Sequence, residues 1–404
     1  MSPEFDDPLR LFLGAALGLG LNGFITFFVH LVFGWHAAWA PVVVSLAVLG
    51  IVGTRTELKH KIRYMSPQFL PPHWPGLTLL AFIAVFIFFE ANYYPLGGWD
   101  AWSCWNLKAK FIYLGGDHWN NMFDPVLWRS NTHYPLLLPC INVWFWDLSG
   151  QADPRVPMVN GIVFVLLTAG VLLFGLYNFS KQWLLPLAMT AAAFLLPFNI
   201  TMGASQYSDV VLGLYLLCAL VCLMADEFIL AGIFLGLLSF TKTEGTVAAV
   251  ILAGLMMLKK GKGKHLFLTA FVLSALPAIL FTLFMAPRNE AFINGLTSME
   301  KPSTLARLQA IAVYPFLELI SAKWNGLWLL ILGGLAAHWK DMIEGKLQIL
   351  ALFFALYLGA LLAYYQVNTF FEINWWLQNT LNRILFALLP AVMFWLGLSL
   401  LQKN

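Results

Sequence analysis

The chain has 404 residues, of which 60% are hydrophobic, 16% aromatic and only 11% charged, and its formal net charge at pH 7 is +3. Soluble domains carry about a quarter charged residues, so this composition excludes a chain that meets water over its whole surface. The small net charge and the lack of a basic run interleaved with aromatics exclude nucleic acid as a partner and leave membrane lipids as the natural surroundings.

Apolar runs of about 17–23 residues match a bilayer hydrocarbon core about 30 Å thick. The first, Leu11–Phe33, is too long for the apolar region of a signal peptide and has no small-residue cleavage site, so it reads as a retained helix. Ala37–Gly53 follows, then a basic loop with Arg55, Lys59, Lys61 and Arg63, then Gly76–Tyr94. Beyond a long mixed stretch come Val156–Tyr177, Leu184–Ile200 and Val210–Met224, and a short pair, Phe228–Phe240 and Gly245–Leu258. Leu266–Ala286, Leu327–His338, Leu347–Tyr365 and Ile384–Leu401 complete the series. The pattern predicts an all-α, polytopic membrane protein of about twelve transmembrane helices. It divides into a two-helix N-terminal segment with its basic loop (1–75), a membrane core with a long loop at 95–155 (76–258), and C-terminal membrane helices with loops at 287–326 and 366–383 (259–404).

Lys/Arg bias sets the orientation. With the Arg55–Arg63 loop and the Lys259, Lys260, Lys262 and Lys264 loop both in the cytosol, Pro95–Arg155, Thr201–Asp209, Pro287–Gly326 and Gln366–Arg383 become external. This bookkeeping allows no crossing at Tyr134–Leu148, despite its apolar character. That segment is therefore expected to be an interfacial or re-entrant helix in the outer leaflet, with Trp144, Phe145 and Trp146 suited to an interface. By the same parity Phe228–Leu258 is expected to be a hairpin turning at Thr241–Gly245, near the outer face.

Residues capable of chemistry gather in these external stretches. Asp100 lies among Trp99, Trp102 and Trp105, where partial desolvation suits a general base; an interfacial aromatic belt with an incidental Asp is the alternative. Lys108 and Lys110 follow, placed to hold an anion beside it. Asp209, in Ser205-Gln206-Tyr207-Ser208-Asp209, stands at the outer entry to a span, where a carboxylate is either functional or a helix-terminal charge favoured by the macrodipole. Lys242 and Glu244 fall between the short hairpin arms and are either a self-satisfied ion pair or a phosphate clamp. Arg383, at the end of a segment that begins at Glu372, has a guanidinium able to grip a phosphate with two parallel hydrogen bonds, or to snorkel to ordinary headgroups. Glu90 is placed to support Asp100 or to cap its helix. His118, His133, Asp117 and Asp124 lack metal-ligand spacing. Cys104 and Cys140 share one external stretch and suit either a disulfide or separate thiols, whereas Cys218 and Cys222 read as packing residues.

Taken in order, these segments resemble the GT-C membrane glycosyltransferases that use polyprenyl-phosphate sugars, including the protein O-mannosyltransferases and the lipid A aminoarabinose transferases. The likeness rests on Gly98-Trp99-Asp100-Ala101-Trp102, the interfacial His133-Tyr134-Pro135, Tyr207-Ser208-Asp209, Thr241-Lys242-Thr243-Glu244-Gly245, and Thr380-Leu381-Asn382-Arg383. It implies a GT-C-like fold and an inverting transfer of a sugar from a polyprenyl-phosphate donor, undecaprenyl phosphate in a bacterial inner membrane, to an acceptor hydroxyl at the periplasmic or external face. The acceptor is a lipid, a glycan or a protein. Asp100 is then the base, and Lys242 and Arg383, with Lys108 or Lys110, hold the donor phosphate. Asp209 positions the acceptor, orients a lysine or helps to bind a divalent metal; no cofactor is otherwise implied. The chain departs from the family's pattern in carrying His133-Tyr134 where relatives have an acidic–basic pair. A transporter and an O-antigen-ligase-like enzyme are the rival readings, though no inverted repeat of the transporter kind is present.

Overall fold

The computed structural model describes residues 5–34, 39–55, 70–259, 263–297 and 304–401, and among these the secondary structure is entirely helical. Most basic residues behind the sidedness assignment (Lys59, Lys61, Arg63, Lys260 and Lys262) lie outside the described residues.

Long apolar helices follow the apolar runs, because a helix satisfies every backbone N–H and C=O internally in a medium that offers no water. They begin with α1 (Asp7–Phe33), α2 (Ala40–Arg55) and α3 (Leu70–Tyr93). The first external stretch then forms α4 (Asn106–Leu114), preceded by a π-helical turn at Ala101–Trp105, and α5 (Leu137–Ser149). Next come α6 (Arg155–Ser180), α7 (Leu184–Phe194), α8 (Pro197–Ala204), α9 (Ser208–Met224), α10 (Phe228–Ser239) and α11 (Thr243–Leu258). The remainder comprises α12 (Gly263–Ser274), α13 (Leu276–Phe284), α14 (Glu290–Thr297), α15 (Thr304–Leu319), α16 (Leu327–Ala337), α17 (Trp339–Met342), α18 (Gln348–Val367) and α19 (Ile373–Leu401).

Among the described residues, 6 helices are long and apolar enough to cross a membrane, or up to 8 if each bent pair, α7 with α8 and α12 with α13, is one span. This is an integral membrane protein, with fewer full-length spans than the apolar runs suggest. Proline explains the breaks: Pro197 and Pro277 each stand at the start of the second helix of a bent pair, where the missing N–H is tolerated. Four further apolar helices, α9, α10, α11 and α16, are shorter than a full crossing.

Polar contacts near the helix ends fall into two groups. Asp6 pairs with Lys181 at 2.7 Å and Asp226 with Lys346 at 2.5 Å. In the other group, Thr201 donates to Glu90 at 2.7 Å and Asn289 meets His133 at 3.0 Å. The break at Phe240–Lys242 between α10 and α11 joins this second set, as the hairpin requires.

Two expectations change. The segment after Tyr134 does not lie flat: α5 runs beside α1, with Leu137 and Ile141 against Gly23 and Asp147 near His30. α5 thus packs along the candidate span α1 instead of crossing over it, an arrangement that fits the re-entrant alternative better than the interfacial one. Accordingly Trp146 is not an interfacial aromatic but is wholly buried, its indole N–H donating to Asp153 O at 2.8 Å. Secondly, the stretch 287–326 contains α15, which with the following turn is long and apolar enough to count among the candidate spans. Arg307 near its start donates to Asn368 O at 2.6 Å, and Trp324 at its end packs on Phe198 of α8 at 4.7 Å. Its mixed sequence, with Arg307, Glu318 and Pro315, hides it from an apolar-run criterion.

Candidate functional site

Three of the polar segments single themselves out by where their charges end up. Asp209 opens α9 with a carboxylate that is 1% exposed, in a place where an isolated charge is unaffordable. Its Oδ2 accepts from Arg383 Nη2 at 2.7 Å and Nε at 3.2 Å, and its Oδ1 from Lys242 Nζ at 3.1 Å. Lys242 also reaches Glu244 at 3.0 Å. Arg383 uses its remaining terminal nitrogen on Asp100 Oδ2 at 2.7 Å. Residues separated by up to 283 positions thus form one chain, Asp100–Arg383–Asp209–Lys242–Glu244. Burial works against the Lys242 charge, but Asp209 and Glu244 outweigh it and raise its pKa well above the usual lysine range.

Aromatic faces line this chain. The Arg383 guanidinium lies over the Tyr207 ring at 4.4 Å and Lys242 over Tyr134 at 5.7 Å. Tyr207 fits because its neighbour across the loop is Gly98, where a Cβ would stand 2.3 Å from the phenol oxygen. Gly97 beside it has φ +70, and a Cβ there would be 2.5 Å from Ser205 O. The Gly97-Gly98 pair therefore lets the Asp100 loop press against the 205–207 turn, with Gly98 N–H donating to Ser205 O at 3.0 Å.

Several expected residues take different places. Trp99 and Trp102 do not box Asp100; they pack edge-on against each other at 4.5 Å and are 60% and 47% exposed. Trp105 is buried and stacks on Tyr134 at 5.6 Å. Lys108 is 1% exposed and turned onto backbone, donating to Asn131 O at 2.7 Å and Tyr134 O at 3.1 Å. Burial lowers its pKa. It fixes the loop that enters the membrane rather than presenting its charge to a ligand. Lys110 is exposed on α4. His133, bonded to Asn289, is pushed down to about 4 by burial and then by Lys108, so its imidazole is neutral at pH 7. Glu90 binds Thr201 and Glu372 caps α19 through the N–H groups of Asn374 and Trp375, both away from the charge chain.

Cys104 and Cys140 are separate buried thiols, as are Cys218 and Cys222. Burial lifts Cys104 to about 11, so it is no nucleophile at neutral pH. Among the described residues no group of three or more His, Cys, Asp or Glu side chains is arranged to hold a metal. Asp209, the carboxylate considered for that role, already has both oxygens on cations.

A small cavity of about 10 Å³, room for a single water, adjoins Asp209, Lys242 and Glu244 and is lined on its other sides by Tyr357, Ile384 and Leu388. The site is thus charged and aromatic, with Arg383 and Lys242 each held between two carboxylates. Sequence inspection also passed over a set of buried amides beside it (Asn142, Asn160, Gln206) and a buried Asp147 whose carboxyl is raised to about 7 by desolvation. The signal for Asn142, Asn160 and Asp147 was a polar residue inside an apolar run, whereas Gln206 stands in the polar turn before Asp209. No protein-family model, no curated protein and no solved structure matches this chain.

Proposed function

We propose that this protein is an inverting glycosyltransferase of the GT-C kind. It moves a sugar from a polyprenyl-phosphate donor, undecaprenyl phosphate in a bacterial inner membrane, to an acceptor hydroxyl of a lipid, glycan or protein at the periplasmic face. The twelve-span reading belongs to the same proposal. The observation that carries it is the convergence of Asp100, Asp209, Lys242 and Arg383 from remote segments onto one chain of charges, within the set of loops assigned to the outside.

In this reading Arg383 and Lys242 receive the donor phosphate. Each has a partner that a phosphate can replace, Asp100 for Arg383 and Glu244 for Lys242, while Asp209 continues to hold both cations in place. When the guanidinium turns to the phosphate, Asp100 is released and takes the proton from the acceptor hydroxyl. The acceptor oxygen then forms the new bond to the anomeric carbon from the face opposite the breaking carbon–oxygen bond to phosphate. The electron pair of that bond leaves with the phosphate, where the two cations stabilise it, so one carboxylate base suffices. Asp209 is an orienting residue in this scheme. Lys108 shapes the loop behind the site.

Binding of a short-chain polyprenyl phosphate to purified protein in lipid nanodiscs tests the assignment. Wild type is expected to bind it, and Arg383→Gln to lose affinity at least tenfold while remaining folded. Equal binding by both removes Arg383 from the phosphate site. No binding by wild type moves the transporter and ligase readings ahead.

A further inference from the structure

Asp100 and Asp209 lie on segments with no covalent reason to stay in register, so something must fix the distance between them. Arg383 and the Gly98–Ser205 hydrogen bond do part of this, and residues outside the charge chain add a further set of contacts. Gln206 is 5% exposed and holds φ +59, an uncommon conformation for a residue with a side chain. Its Nε2 donates to Pro95 O at 2.9 Å, at the root of the Asp100 loop, and its Oε1 accepts from Asn106 Nδ2 at 3.1 Å. Asn106 Oδ1 in turn accepts from Asn142 Nδ2 at 3.1 Å, and Asn142 Oδ1 from Asn160 Nδ2 at 2.8 Å. Asn142 and Asn160 are 1% and 4% exposed, on the apolar helices α5 and α6. The amides therefore run in series from the first turns of α6 through α5 to the loop that carries Asp100, each donating to the next and the last to a backbone carbonyl.

A simple tie between α5 and α6 needs only the Asn142–Asn160 pair. The additional links to Asn106 and Gln206 serve the loop. We infer that Asn142 and Asn160 are positioning residues of the active site, acting through Asn106 and Gln206 to hold Asp100 at a fixed distance from Arg383 and the Tyr207 turn. This inference rests on the glycosyltransferase reading for its catalytic consequence, and on the structure alone for its mechanical one. Lys242 and Arg383 stand on other elements, so the ladder governs the base and not the phosphate grip.

Asn142→Leu, similar in size, breaks both of its links, and Asn160→Leu serves as the second variant. Hydrogen exchange reads the mechanical part. Backbone amides of residues 95–101 are expected to exchange at least tenfold faster in either variant, with 240–245 unchanged. Catalysis is read separately, as transfer turnover at saturating donor and as polyprenyl phosphate affinity. Turnover is expected to fall tenfold or more with affinity within twofold of wild type, and Asn142→Leu is expected to add no further loss in an Asp100→Asn background. Unchanged exchange at 95–101 overturns the inference, as does a parallel fall in turnover and affinity. Faster exchange at 95–101 in a protein whose wild type neither binds the donor nor transfers sugar supports the positioning geometry and refutes the glycosyltransferase reading instead.

Discussion

Removing Asp209 probes the organisation of the site most sharply. Asp209→Ala deletes three charge-assisted hydrogen bonds, two from Arg383 and one from Lys242, and leaves both cations facing a void in an apolar setting. Charge-assisted bonds contribute about 1.5–3 kcal/mol each, and breaking a buried pair costs about 3–5 kcal/mol. Arg383 keeps Asp100 and Lys242 keeps Glu244, so a loss near the low end, about 3 kcal/mol, is expected. Asp209→Asn retains an acceptor of the same shape and is expected to cost about half as much. Equilibrium unfolding in micelles of rising SDS content measures this, with Lys242→Met and the double variant completing a cycle. If Asp209 holds Lys242, the double variant costs at least about 1 kcal/mol less than the sum of the singles. Strict additivity, or an Asp209→Ala loss below about 0.5 kcal/mol, would refute the account of a coupled, buried charge chain.

Other substitutions test separate parts. Asp147 has a folded-state pKa raised from 3.8 to about 7 by burial, so its contribution to stability is fully present below pH 3.8 and is lost as pH rises to about 7. Asp147→Asn is therefore expected to match wild type near pH 4 and to exceed it by up to about 4 kcal/mol at pH 8, checked by unfolding at both pH values. Gly98→Ala places a Cβ on the Tyr207 phenol and drives that ring off Arg383; loss of a cation–π contact of about 1 kcal/mol weakens polyprenyl phosphate binding about fivefold in the same nanodisc assay. Lys108→Met removes the two carbonyl bonds that hold the re-entrant loop, and an unfolding loss of about 2 kcal/mol is expected, whereas a mere donor-site lysine would leave stability unchanged.

The helices were legible in the apolar runs, because a chain in lipid must satisfy its backbone internally. The residues alone marked Asp209, Lys242 and Arg383 as separate charges beside apolar runs, each needing a partner. That they share one site was implied only by the resemblance, and that they pair with one another is seen only in three dimensions. Parity pointed to a hairpin turn near Thr241–Gly245, and the chain does turn there, between two short helices. What stayed hidden is what carries no periodic or charge signature. Asn142 and Asn160 are single polar residues in apolar runs, and only three-dimensional proximity reveals that they form a ladder. A lysine after an Asp reads as a ligand site, yet Lys108 is turned inward by carbonyls of Asn131 and Tyr134 that lie 23 and 26 residues away. Tryptophans near Asp100 suggested a desolvating box, but helical spacing sends Trp99 and Trp102 outward and Trp105 inward onto Tyr134. The bends at Pro197 and Pro277 likewise broke runs whose composition alone reads as continuous spans.

The central claim is that Asp100 is the base and Arg383 and Lys242 the phosphate grip of a polyprenyl-phosphate sugar transferase. Its most direct test compares wild type with Asp100→Asn in nanodiscs, measuring transfer from synthetic polyprenyl-phosphate sugars and donor binding together. Asp100→Asn is expected to bind the donor at least as tightly as wild type, because Arg383 no longer pairs with it, and to lose transfer by a factor of about 10³ or more, in line with loss of a general base. Transfer by Asp100→Asn at the wild-type rate would contradict the claim.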